Sequence, residues 1–221
     1  MMKVQIYSHK TPDDALMSAA AGVNFIGAST GQRGRLKDEI NFAQCREMFS
    51  AIPPGPMKVA LTVAWELPEI IETVQAVRPD VIHLSGDIAD LPAAKVAELR
   101  QAIPLTKIMQ AIPVSGPAAI DLALAYQPVS DYFILDTDLS NFTGIGATGA
   151  VHDWQISAEI VRRVNIPVIL AGGLSPDNVA AAIRVVKPWC VDSFSHTNLP
   201  GSKRKDPARV KAFVTAARSA L

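Results

Sequence analysis

The chain has 221 residues, 49% of them hydrophobic and 19% charged, with 21 basic and 21 acidic side chains that cancel. Disordered chains pair low hydrophobicity with high net charge, so this composition excludes them, and no run of about 18 apolar residues is present to cross a membrane. The largest basic run is Lys203-Arg204-Lys205 and there are two cysteines, Cys45 and Cys190, so neither a nucleic-acid footprint nor a disulfide framework is visible. With Met1 to Gln5 leading straight into an apolar run, no signal-peptide layout appears, and the expectation is a cytoplasmic protein.

Short apolar runs alternate with helical stretches along the whole chain. Val4 to Tyr7 reads as a first strand, and Thr11-Pro12 opens a helix through Ala21, a capping threonine before a first-turn proline. Val23 to Ala28 and Asn41 to Ala51 form the second unit, Met57 to Val63 and Leu67 to Val77 the third. Asp80 to Leu84 and Leu91 to Ala102 follow, then Leu105 to Ala111 and Pro117 to Tyr126. Tyr132 to Asp136 pairs with a helix from Trp154 to Val164, and Pro167 to Ala171 with one from Ser175 to Val186. Trp189 to Asp192 is the last strand and Asp206 to Ala220 the last helix.

The runs are apolar almost throughout, as parallel strands covered on both faces require. Eight such units without a composition break predict one (β/α)8 TIM barrel spanning residues 1–221. Such barrels take about 250 residues, so little length is left for insertions. One connection is long: 137–153, rich in Gly, Thr and Asn, is expected to cover a substrate. Within it Gly144, Gly146 and Gly149 match G-x-G-x-x-G, but they do not follow a strand directly, so a dinucleotide site is rejected.

Barrel enzymes place their chemistry at the C-terminal ends of the strands. After strand seven, Gly172 and Gly173 allow an anion to approach backbone N–H groups, and Asp192, Ser193 and Ser195 after strand eight add to a phosphate site. Asp136 ends an apolar strand, where partial desolvation raises a carboxyl's pKa toward that of a general acid. His83, His152, Asp153 and His196 lack the short spacings of a metal site, so no metal and no cofactor is expected. Lys58 and Lys107 lie early in their strands, away from the active end.

The ordered set of segments resembles the phosphoribosylanthranilate isomerase family. Ile82-His83-Leu84-Ser85-Gly86-Asp87 is similar to its Gln-Leu-His-Gly-Asp stretch, and Leu135-Asp136-Thr137 to its Leu-Leu-Asp. Leu170-Ala171-Gly172-Gly173-Leu174-Ser175-Pro176-Asp177-Asn178 is close to identical with the family's most specific segment, and Val191-Asp192 and Asp206-Pro207 extend the match. The resemblance implies the ribulose-phosphate-binding type of barrel, a small phosphorylated substrate, no nucleic acid or membrane partner, and a monomer or homodimer. It also implies an aldose–ketose isomerisation, an Amadori rearrangement in tryptophan biosynthesis. A family cysteine at the end of strand one removes the sugar C2 proton, and an aspartate at the end of strand six protonates the ring oxygen. That role falls on Asp136, with phosphate on Gly173, Asp192 and Ser195 and their neighbours.

The chain departs from the family at three places. Tyr7 stands where the cysteine should. With a tyrosine pKa near 10, about one in a thousand is ionised at pH 7, a cost of about 4 kcal/mol before any chemistry. Tyr7 is thus expected to fill space or hydrogen-bond, leaving His83, and next His9, as the candidate base. The family's Lys-Ser-Pro-Arg loop reads Gln32-Arg33-Gly34-Arg35, which keeps positive charge for a substrate carboxylate on Arg33 and Arg35. The glutamate expected after strand eight is Asn198. Two alternatives stand beside the isomerase: another phosphosugar epimerase, lyase or aldolase, and a catalytically silent sugar-phosphate binder.

Overall fold

The structure, a computed structural model, describes residues 1–36, 39–137 and 153–220. Eight parallel strands close into a barrel in sequence order: β1 (Lys3–Ile6), β2 (Phe25–Ser29), β3 (Met57–Thr62), β4 (Val81–Leu84), β5 (Lys107–Pro113), β6 (Tyr132–Asp136), β7 (Val168–Leu170) and β8 (Cys190–Ser193). Closure comes from β1 pairing with β8, with Gln5 opposite Asp192 and Ile6 opposite Ser193. The helices are α1 (Pro12–Ala20), α2 (Phe42–Ala51), α3 (Leu67–Val77), α4 (Ala93–Ala102), α5 (Ala118–Tyr126), α6 (Trp154–Arg163), α7 (Val179–Val186) and α8 (Pro207–Arg218). Among the described residues no helix is long and apolar enough to cross a membrane.

Because strand side chains alternate between faces, each strand supplies two cores. One set, including Val4, Ile6, Ile26, Ile82, Ile108, Phe133 and Val191, packs outward against the helices. The other, including Phe25, Val59, Val81, Met109, Ile134, Ile169, Ala171 and Cys190, fills the lumen. Continuing the inward register toward the C-terminal ends places Tyr7, His83, Asp136 and Asp192 at the barrel mouth. At the opposite end Phe25, Tyr132 and Trp189 pack ring to ring, with centroids 5.6 to 5.9 Å apart, and plug the floor.

The local signals explain most element limits. Thr11 caps α1 through the Asp14 N–H, Asn41 and Gln44 form a reciprocal cap on α2, and Asp206 accepts from Ala208 and Arg209 to open α8. Several limits differ from expectation, and three of them have a local cause. Helix α4 begins at Ala93 rather than Leu91, since the carbonyl of Leu91 is held by the Tyr126 hydroxyl at 2.9 Å. Strand β5 runs on to Pro113, drawn out by its register with Asp136. Helix α7 begins at Val179 rather than Ser175, because Asn178 folds back to accept the Ser175 N–H at 2.8 Å and turns that segment. Residues 138–152 of the long connection, with its glycine motif and His152, lie outside the described residues.

Candidate active site

Asp136 is the last residue of β6 and faces the lumen. Burial pushes its carboxyl up to about 7, opposed by the Thr137 N–H that donates to Oδ1 at 2.7 Å. Asp192, inward on β8, is pushed up to about 8, first by burial and then by the nearby Asp136 charge; Gln5 and Lys205 oppose the rise. Asp192 Oδ1 is buried without a hydrogen-bond partner among the described residues. Both carboxyls line one solvent-open cavity of about 290 Å³, together with Gly172, Gly173, Leu174 and residues 193–196.

The cavity wall after β7 is made by two consecutive left-handed residues, Gly172 at φ 80° and Gly173 at φ 64°, a conformation that side chains resist. Their amides donate to no backbone carbonyl among the described residues. Asn178 Nδ2 donates to the Gly173 carbonyl at 3.0 Å and holds the turn. Ser193 lines the cavity, but its hydroxyl donates to the Leu174 carbonyl at 2.8 Å, so it latches the β7 turn to β8. Ser195 is exposed and opens a 3-10 turn, Ser195–Thr197. Thus Gly172, Gly173, Asp192, Ser193 and Ser195 do come together.

Tyr7 is buried over Gly27: a Cβ at position 27 would lie 2.1 Å from the Tyr7 ring. Its hydroxyl meets His83 Nδ1 at 3.0 Å. Burial, and then the Asp192 charge, hold the Tyr7 phenol well above its usual range, and burial drives the His83 imidazole down to about 3. Both are therefore neutral at pH 7. Protonating His83 there costs about 5 kcal/mol at about 1.4 kcal/mol per pKa unit. His9 is not at the mouth: Nδ1 donates to the Gly27 carbonyl at 3.0 Å and Nε2 accepts from Ser18 Oγ at 2.8 Å, pinning α1 to the strands.

Arg33 and Arg35 sit elsewhere. Arg35 makes a two-point contact with Glu69, at 2.9 and 2.6 Å, and lies over Trp65 with its guanidinium 3.9 Å from the ring centre. Arg33 approaches the same carboxylate at 3.7 Å. Both line a second cavity of about 330 Å³ with Thr30, Glu69 and Thr73, so they are not brought to Asp136. Lys107 is exposed at the start of β5 and pairs with Asp131 at 3.4 Å.

Two residues at the mouth escaped sequence reasoning. Gly27 looks like any strand glycine until the ring above it is seen. Lys205 reads as part of a surface basic run, yet it is 2% exposed. Its Nζ donates to the Tyr7 carbonyl, to the Phe194 carbonyl at 3.1 Å, to Thr197 Oγ1 at 3.4 Å and to Asn198 Oδ1 at 2.6 Å. Burial pulls its ammonium down to about 7 despite the attraction of Asp192 and Asp14. The departure at Asn198 was the available signal, since a polar residue there has a partner to find.

Comparison with known proteins meets this geometry. The profile described as N-(5'phosphoribosyl)anthranilate (PRA) isomerase matches residues 14–216. The chain belongs to the phosphoribosylanthranilate isomerase family. N-(5'-phosphoribosyl)anthranilate isomerase 2 of Methanosarcina mazei is 36% identical over 219 residues, covering 99% of this chain and 95% of that protein. The crystal structure of phosphoribosyl anthranilate isomerase from Thermotoga maritima superposes with a TM-score of 0.83 at 27% identity, over 99% of this chain and 100% of that one. A family structure in complex with reduced 1-(o-carboxyphenylamino)-1-deoxyribulose 5-phosphate reaches 0.80 at 26% identity, with 99% and 100% covered. Within this phosphoribosylanthranilate isomerase fold, β1 as described carries no cysteine.

Proposed function

We propose that the protein isomerises a phosphorylated aldosylamine, phosphoribosylanthranilate first among candidates, with a place in tryptophan biosynthesis. The observation that supports this best is the cavity itself: a half-buried carboxyl poised near neutrality, Asp136, opens onto the twin-glycine turn of β7. The amides of Gly172 and Gly173, which donate to no backbone carbonyl among the described residues, suit a phosphate group together with the 3-10 turn at Ser195, and the sugar then extends toward Asp136. A general acid works best with its pKa near the working pH. Asp136 gives its proton to the furanose ring oxygen, the C1–O bond breaks, and the amine lone pair forms C1=N. Loss of the C2 proton then gives an enaminol, which becomes the ketose.

A second reading, turnover of a different phosphosugar, draws support from Tyr7. Its ring fills the mouth over β2, and Arg33 and Arg35 are engaged by Glu69 away from the cavity. One assay separates the two. The purified protein is expected to convert phosphoribosylanthranilate, and Asp136→Asn to lower kcat by about 10²–10⁴-fold while ribose 5-phosphate binding persists. A wild type that binds ribose 5-phosphate but leaves phosphoribosylanthranilate untouched rejects the first reading.

A further inference from the structure

Tyr7 leaves the rearrangement short of a base. Removing a proton from C2 takes a group that faces the sugar and is unprotonated yet basic near neutral pH. The Tyr7 phenol is held well above its usual range and its hydroxyl meets His83 Nδ1. The neutral His83 imidazole has no partner for Nε2 among the described residues, but burial drives its conjugate acid down to about 3, which makes it a weak base. His9 spends both ring nitrogens on Gly27 and Ser18. Lys205 is surrounded by acceptors and serves them as a donor. Asp192 remains.

Its placement fits. Asp192 lies opposite Gln5 in the β1–β8 register, and Gln5 precedes Tyr7 by one inward step. The Tyr7 N–H donates to the Ser193 carbonyl at 3.0 Å, so the pairing of the two strands continues to position 7. The Asp192 carboxyl and the Tyr7 side chain are thus inward neighbours on adjacent strands. Asp192 Oδ1 is buried with no donor supplied by the described residues, although nearly all buried polar atoms in folded proteins find one. Across β7 from it stands Asp136. Between them the inward residue of β7 is Ala171, whose single methyl leaves the space between the carboxyls open.

We propose that Asp192 is the base that takes the sugar C2 proton, with Asp136 as the acid, so that two carboxyls replace the family's cysteine and aspartate. This rests on the isomerase reading above. Two carboxyls sharing one cavity cannot both ionise cheaply, which leaves one proton on the pair. It rests more often on Asp192, whose carboxyl is pushed up further, and the reactive form is the one in which Asp136 holds it and Asp192 is the base. The acid's proton goes to the ring oxygen as C1–O breaks and nitrogen supplies the electrons for C1=N. The ionised Asp192 then takes the C2 proton, the C–H pair becomes C1=C2, and the iminium pair returns to nitrogen. The enaminol oxygen loses its proton to solvent and C1 gains one. C1 is reduced as C2 is oxidised within one molecule, so no outside oxidant or reductant enters.

The test compares wild type with Asp192→Asn, following phosphoribosylanthranilate turnover, ribose 5-phosphate binding by calorimetry, and turnover of substrate deuterated at C2. Turnover is expected to fall by about 10²–10⁴-fold with phosphate affinity kept or improved, and the residual rate to show a primary isotope effect larger than the wild type's. Turnover kept within about tenfold, affinity lost in parallel with rate, or a residual rate indifferent to deuterium each overturns the assignment. A wild type without turnover defeats the isomerase reading and this inference together, whereas an active wild type with an active variant defeats this inference alone.

Discussion

At the mouth of β1 the identity of one residue dictates that of another. Tyr7 can lie inside the barrel because position 27 has no Cβ, which would otherwise stand 2.1 Å from its ring. The opposed strand backbone cannot move away without breaking the β1–β2 ladder, so the ring must give. Gly27→Ala is expected to cost about 1–3 kcal/mol, the usual cost of overpacking, read from urea denaturation. Combining it with Tyr7→Cys removes the clash, so the pair should be markedly non-additive. Additive losses would show that the ring is not what position 27 accommodates. Neither dependency is visible in a strand pattern, since Tyr7 and Gly27 are 20 residues apart by the numbering. Asp136, by contrast, was legible: a carboxylate ending an apolar run at the chemically active end of a barrel strand has few structural explanations.

At the scale of elements, the strands and helices were legible because period and punctuation agreed. Thr11-Pro12 and Asp206-Pro207 open helices as caps before first-turn prolines, and both do so in the structure. The β8 turn is different. It is held by Lys205, whose ammonium ties the carbonyls of Tyr7 and Phe194 to the Asn198 side chain, joining the end of β1 to the turn beside the cavity. Lys205→Met leaves those acceptors buried and unpaired, so a loss of about 1–3 kcal/mol in stability is expected, with weaker ribose 5-phosphate binding. Lys205→Arg should not restore either, since a planar fork cannot serve acceptors gathered around one point. Calorimetry on both variants checks this; a Met variant as stable and as tight as the wild type refutes the tie. In sequence, Lys203-Arg204-Lys205 looked like one solvated run. The structure divides it: Arg204 pairs with Asp14 at 2.7 Å and Lys205 turns inward.

Over the whole molecule, the buried titratable groups link stability to pH. In the folded chain Asp136 and Asp192 keep their protons up to about 7 and 8, against 3.8 when unfolded. The folded state therefore binds more protons from about pH 4 to 8, and these two groups lower stability as pH rises through that window. His9 and His83, driven down to about 3 from 6.5, bind fewer protons when folded and act oppositely over pH 3 to 6.5. Lys205, lowered from 10.5 to about 7, acts oppositely above pH 7. The carboxyl contribution is isolated by comparing Asp192→Asn with wild type. The variant's stability relative to wild type is expected to improve from pH 5 to pH 8, by on the order of a few kcal/mol. A difference independent of pH would mean that Asp192 is ionised throughout.

The sequence by itself determined the barrel, its strand order and the identity of its acidic end, because apolar periodicity, caps and the rule that chemistry sits at strand C-termini are local or nearly local. Only the tertiary structure decided which polar groups are neutral, which arginines are engaged and which lysine is buried. Those properties depend on burial and on neighbours brought together by closing β1 against β8. That closure sets Asp192 beside Tyr7 and brings Lys205 against the Tyr7 carbonyl.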